Sequence, residues 1–159
     1  MKLYHGTNIA FSEIDLNKSK PNKDFGQGFY LSADYDQALN MANIKTEQQQ
    51  QGKPVVIEFE VDDYQMNLLR ILRFEDYSEE WAKFILANRA SATGKATHDY
   101  DIVIGPIAND KVGLQLWKYE NQLIDLPTLV NKLRYMKGIT IQYFFGTEKA
   151  VALLKRVDK

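Results

Sequence analysis

Leu3-Tyr4-His5-Gly6-Thr7 and Asp24-Phe25-Gly26-Gln27-Gly28-Phe29-Tyr30-Leu31-Ser32 are the two stretches that decide the fold of this chain. Each carries a short apolar and aromatic run of the kind that forms a strand. The first holds one of only two histidines, followed at once by glycine. The second is entered through Gly26 and Gly28 and ends on a hydroxyl, Ser32. Between the strands, residues 7–27 read as a long polar loop. Its run Asn17-Lys18-Ser19-Lys20-Pro21-Asn22-Lys23-Asp24 is rich in turn residues and lacks a helical period. Loops of this length inside a small domain are uncommon and often functional.

Outward from these strands, a helix is expected after Ser32. Asp34 and Gln37 have capping-box spacing, and Ala38, Leu39, Met41 and Ala42 form an apolar stripe that frays out in Gln48-Gln49-Gln50-Gln51-Gly52. Residues 54–61 alternate as a strand, and 68–74 fit either a strand or a helix. Ser78 caps a helix to Ala90 with Trp81, Phe84 and Ile85 on one side. Asp101-Ile102-Val103-Ile104-Gly105-Pro106 is a buried strand stopped by Gly-Pro, and 110–120 carry no decisive pattern. Helix 126–136 starts with Pro127 where a missing N–H costs little. Strand 139–145 and a capped closing helix over 147–154 complete the chain. Strands and helices mix without regular βαβ alternation, so the expectation is one α+β domain over residues 1–159, without repeat or linker.

Composition narrows the possibilities. The 159 residues suffice for one sizeable core, and 45% hydrophobic with 26% charged residues is ordinary for a globular domain. Twenty basic against 21 acidic residues leave a formal charge of −1, so no global attraction to nucleic acid or anionic membrane is implied. Residues 132–159 nevertheless hold seven Lys or Arg against two Asp or Glu, either a solvated face or a contact for a phosphate-bearing or acidic partner. Cysteine is absent, which removes disulfides and thiol nucleophiles. Two widely separated histidines make a transition-metal site an unfavourable expectation. No signal-peptide pattern and no run of about 18 apolar residues occurs, so a cytoplasmic protein without a membrane span is expected.

The chemistry is concentrated in the opening strands. Glycine lets a ligand approach the main chain without a Cβ in the way, so Gly6 beside His5 can offer its peptide groups to a ligand. Tyr30 offers an aromatic face for stacking. Gly26-Gln27-Gly28 lacks the third glycine of a dinucleotide fingerprint, and no Walker lysine or serine-hydrolase elbow occurs. Alone, His5 is an ordinary strand histidine and Tyr30 one of nine tyrosines. Asp101 and Asp110 suit turns or caps as readily as a site. Glu58 and Glu60 read as the solvent side of a strand, His98 as a loop residue exposed to solvent, and Trp81 and Trp117 as core.

Together, His5-Gly6-Thr7 and Gly28-Phe29-Tyr30-Leu31-Ser32 resemble the nicotinamide-binding core of ADP-ribosyltransferases of the His–Tyr type. The resemblance is to an uncharacterised prokaryotic branch with an Asp-Ile-Val-Ile-Gly-Pro segment and a terminal Gln-Tyr/Phe strand, and it extends over nearly the whole chain. It implies an ADP-ribosyltransferase-like fold, a mixed or antiparallel split sheet flanked by helices. It further implies NAD as substrate with no metal. His5 would bond the ribose, Gly6 the carboxamide, and Tyr30 would stack on nicotinamide. Thr7, Gly28 and Ser32 would line the same site. The family's late-strand glutamate falls on Gln142, with Glu148 a less natural substitute, while Asp101, Gly105, Ala108 and Asp110 belong to the same pattern. The implied activity is mono-ADP-ribosylation of a cytoplasmic protein or nucleic acid by the toxin of a toxin–antitoxin pair, with a cognate antitoxin as partner. Because glutamine brings no negative charge, an NAD- or ADP-ribose-binding module without turnover is the alternative. The basic C-terminal stretch leaves a third, processing of RNA.

Overall fold

A computed structural model describes residues 1–136 and 139–157, and of Asp110 the main chain alone. Two sheets share the domain. Strands β1 (Lys2–Thr7), β3 (Val55–Glu60) and β7 (Lys155–Arg156) form one, in the order β1-β3-β7. The other runs β2 (Phe29–Leu31), β6 (Ile141–Phe145), β5 (Ile102–Pro106), β4 (Ile71–Arg73). Among the described residues only β4–β5 is parallel. The α+β expectation holds, with both sheets flanked by helices.

Caps place the helices where the sequence puts them. Asp34 accepts from Asp36 N–H at the start of α1 (Tyr35–Gln49), Ser78 from Trp81 N–H before α3 (Glu79–Arg89), and Asp125 from Thr128 N–H before α5 (Leu126–Arg134). The ambiguous stretch 68–74 resolves into β4, preceded by a short helix, α2 (Asp63–Asn67), that Asp62 caps. Asn109 caps α4 (Asp110–Glu120) through Val112 N–H. The closing helix is shorter than expected. The last helix, α6, spans Glu148–Val151, and Lys155–Arg156 instead pair with Glu60 and Phe59. Three further expectations need correction. Trp117 is 54% exposed, because α4 buries Val112 and Leu116 and turns Leu114 and Trp117 outward. Met41 leaves the buried stripe of α1, which is Ala38 and Ala42. His98 is packed among Phe84, Tyr100 and Phe144 rather than exposed. Of the basic C-terminal stretch, Lys137 and Lys159 lie outside the described residues.

Alternation along β6 divides the interior into two cores. Phe145 points to one side, joining Leu3, Phe29 and Phe59, while Phe144 joins Trp81, Ile85, Leu116 and Leu129 on the other. Both phenylalanines are fully buried. At roughly 2–3 kcal/mol for each buried aromatic, this pair anchors β6 against both layers. Opposite residues share a face, so Tyr30, Phe144 and Val103 stand on the second side, with Ser32, Gln142 and Gly105 following in the same rows.

Helix α1 lies against β1 through its alanines. It comes so close at Gly6 that a Cβ there would overlap the Ala38 carbonyl oxygen. Gly6→Ala should therefore push α1 off β1, with a stability loss at the upper end of ~1–3 kcal/mol or beyond. Urea unfolding monitored by circular dichroism measures it. Unchanged stability would mean the helix sits further away.

Candidate functional site

Among the described residues one isolated bridge links the main chains of the two sheets. Tyr4 N–H donates to Ser32 C=O at 2.7 Å and Ser32 N–H to Tyr4 C=O at 2.8 Å. In a continuing antiparallel ladder, Gly6 and Tyr30 would be the next pair to exchange both bonds. They do not, and other groups have taken their carbonyls. His5 Nδ1–H donates to Tyr30 C=O at 2.6 Å, and the Lys45 ammonium, reaching from α1, donates to Gly6 C=O at 2.9 Å. By the two-residue alternation, Gly6 N–H and Tyr30 N–H both aim into the opening between the strands. The chain thus builds a split with two main-chain donors at its apex, where peptide groups otherwise pair with one another.

The His5 ring stacks on Phe29 with centroids 4.2 Å apart and meets Phe11 edge-on. Burial, then repulsion from Lys45, holds its pKa down to about 3, while the bond to Tyr30 C=O works the other way. The ring is therefore neutral. Donating through Nδ1 leaves Nε2 with a lone pair that can accept from a ligand hydroxyl.

Tyr30 sits on the other side of β2. Its hydroxyl donates to Gly26 C=O at 2.6 Å and accepts from Phe25 N–H at 3.0 Å, and burial raises its pKa. Gly26 takes φ 109° at this turn, a left-handed conformation suited to glycine. The imidazole and phenol accordingly do not face each other across a slot. They flank β2 from its two sides and meet through the Tyr30 main chain. The outer face of the phenol carries the Lys23 ammonium, 4.7 Å from the ring centroid.

The remaining predicted residues divide by role. Ser32 makes the bridge, and its hydroxyl accepts from Asp34 N–H. Gln142 is half-buried on β6 in the row of Tyr30 and Phe144, beside Ser32. Thr7 spends its hydroxyl on Ile9, donating to C=O and accepting from N–H, which closes the turn after β1. Gly28 donates to Ser19 Oγ at 3.1 Å, and a Cβ there would strike the Phe144 ring. Asp101 accepts from Arg70 N–H and from the Thr147 hydroxyl, the structural role of a turn residue. Gly105 pairs with Gln142, and Ala108 packs on the second core. Glu148 is exposed in the first turn of α6. The second histidine also holds the Asp24–Tyr30 segment. His98 Nε2–H donates to Phe25 C=O at 2.7 Å and its Nδ1 accepts from Tyr100 N–H.

Lys23 and Lys45 were not singled out from sequence. A lysine on a helix or in a polar loop reads as solvated, and nothing in its neighbours signals that it turns inward. Among the described residues no group of three His, Cys, Asp or Glu could hold a metal ion, and no helix is long and apolar enough to cross a membrane.

A family model described as "Protein of unknown function (DUF3990)" matches residues 1–156. The chain belongs to that family. No curated protein matches the chain. No solved structure does either. The family match covers both sheets, so the split between β1 and β2 falls wholly within it.

Because the folded state holds His5 neutral well below its unfolded pKa of about 6.5, the unfolded chain binds the extra proton. Stability is then complete above pH ~6.5 and falls as the pH drops from there toward 3. His5 contributes up to ~1.4 kcal/mol per pH unit in that window. In His5→Asn the slope of unfolding free energy between pH 7 and 5 should flatten, leaving the smaller part owed to His98. An unaltered slope would show that His5 does not titrate this way.

Proposed function

We propose that the split between β1 and β2 binds the nicotinamide end of NAD and that the protein is a mono-ADP-ribosyltransferase with an ADP-ribosyltransferase-like fold. The observation that carries this is the interrupted ladder. Gly6 N–H and Tyr30 N–H converge on one opening, with Gly6 C=O beside them as an acceptor. A carboxamide carries one acceptor oxygen and one donor nitrogen, and the Gly6 peptide groups complement both once Lys45 gives way. The neutral His5 Nε2 is suited to accept from a ribose hydroxyl. Tyr30 presents a ring face already shown able to hold a cation, and the pyridinium of NAD is a cation with a flat ring.

In the reaction the C1′–N bond breaks and its electron pair leaves with nicotinamide, which departs neutral. Positive charge grows on the ribose, and C1′ bonds a nucleophile of the acceptor, whose proton passes to solvent. The protein's task is to orient the ring and ribose and to stabilise the developing charge. Gln142, in the row of Tyr30, fits the ribose-orienting position. The acceptor is a cytoplasmic protein or nucleic acid, and a toxin restrained by a cognate antitoxin is the biological setting that the sequence resemblance favours.

One observation favours a second reading. An amide at 142 adds no negative charge next to an oxocarbenium-like centre, which suits a module that binds NAD or ADP-ribose without turning it over.

Incubation with NAD labelled in its adenylate, in the presence of a cell lysate, should transfer label and release nicotinamide. Gln142→Glu should raise nicotinamide release roughly tenfold by adding charge at the ribose, and Gln142→Ala should lower it by a similar factor. No label transfer and no nicotinamide release by the parent chain would overturn the transferase. NAD binding without release by either the parent or Gln142→Glu would establish the binding module instead.

A further inference from the structure

Two ammoniums border the split without an ion-pair partner among the described residues. Lys45 Nζ lies on Gly6 C=O, and Lys23 Nζ over Tyr30. Among the described residues, neither ammonium has a carboxylate oxygen within 4.0 Å. Asp24, next to Lys23 in the chain, is paired instead with Arg89 Nε at 2.7 Å. Both lysines are half-buried. Lys20 is close enough to disfavour the charge of Lys23, and both to disfavour that of Lys45. Lys45 is pushed down to about 8, by burial first and then by Lys23 and Lys20; Lys23 is lowered by burial and then Lys20, with Asp24 working the other way.

Withdrawing ammoniums from water without a counter-ion is costly, and the carbonyl and ring that now receive them are neutral. An anion bound between them would remove that cost and gain charge-assisted hydrogen bonds. Two separate ammoniums reaching from a loop and a helix match a ligand with two linked anionic groups better than a single carboxylate. A surface lysine pair would point to solvent. These two point instead to the main chain and ring that border the split.

We propose that Lys23 and Lys45 form an anion subsite that takes the diphosphate of a dinucleotide, each leaving its present partner as the ligand enters. Lys23 then has two tasks. In the free protein its ammonium occupies the Tyr30 face that a pyridinium would use, and in the complex it moves to the diphosphate. Binding of the cationic ring and binding of the anionic linker are coupled through one side chain. The subsite rests on the cleft reading above for its dinucleotide, though not for its affinity for diphosphate.

The test is calorimetry on the full chain with ADP-ribose, inorganic pyrophosphate and nicotinamide, at low and at moderate salt. ADP-ribose and pyrophosphate should both bind, more weakly at higher salt because the ammoniums are screened. Lys23→Met and Lys45→Met should each weaken both ligands roughly tenfold, the loss of one charge-assisted contact. Nicotinamide, which has no phosphate, should bind Lys23→Met as well as the parent or better. Equal affinities of parent and variants for ADP-ribose and pyrophosphate, or no pyrophosphate binding by the parent, would overturn the subsite. Should Lys45→Met fail to fold, Lys23→Met and the parent's salt dependence decide. Pyrophosphate binding that the variants weaken, without nicotinamide release from NAD, would sustain the subsite and sink the transferase. Nicotinamide release with an unchanged KM for NAD in both variants would do the reverse.

Discussion

One hydrogen bond marks the point where β1 and β2 stop pairing. His5 Nδ1 takes the carbonyl of Tyr30, the acceptor that Gly6 N–H would need for β1 and β2 to zip into one continuous sheet. The ring stands one step beyond the Tyr4–Ser32 bridge, where direct pairing of the two strands ends. It is held by stacking on Phe29 and by a burial deep enough to keep it uncharged. A protonated ring could still donate to Tyr30, but it would place a third cation beside Lys23 and Lys45. Neutrality at His5 and the crowding of ammoniums across the opening are therefore linked.

Both histidines serve a common purpose. His5 grips the end of the Asp24–Tyr30 segment and His98 grips its beginning, while the Tyr30 hydroxyl ties the middle back on itself. Before β2 the segment has little regular structure of its own, and these anchors hold it together with Asp24–Arg89 and Gly28–Ser19. Beneath it, Gly28 and Gly105 leave room for rings that a side chain would displace. The glycines that a sequence reading assigns to ligand approach thus serve packing first. At Gly6 the tight partner is α1, which supplies Lys45 to the opening.

Much of this architecture was legible from residues because its signals are local. Asp34, Ser78 and Asp125 cap the helices where their spacing predicts, and Val55–Glu60 and Ile102–Pro106 form strands. His5, Tyr30 and Gln142 were legible as candidates, and the topology puts them on β1, β2 and β6. What was not legible depends on long-range register. Which side of β2 a ring occupies follows from pairing with Phe144 and Phe145, more than a hundred residues on. The inward turn of Lys45 follows from α1 packing on Gly6, and the exposure of Trp117 from which stripe of α4 meets α5. The pairing of Lys155–Arg156 with β3, past the expected closing helix, likewise rests on a partner strand about a hundred residues away.

The order in which the strands are joined carries a kinetic consequence. β1 can pair with β3 early in synthesis, but Phe29 must wait for Phe145 and Tyr30 for Phe144. Closing so long a stretch of chain is entropically expensive and comes late in assembly. A growing polypeptide can therefore hold β1 against β3 while β2 still lacks its partner β6. The second sheet is completed only once β6 emerges and slides between β2 and β5.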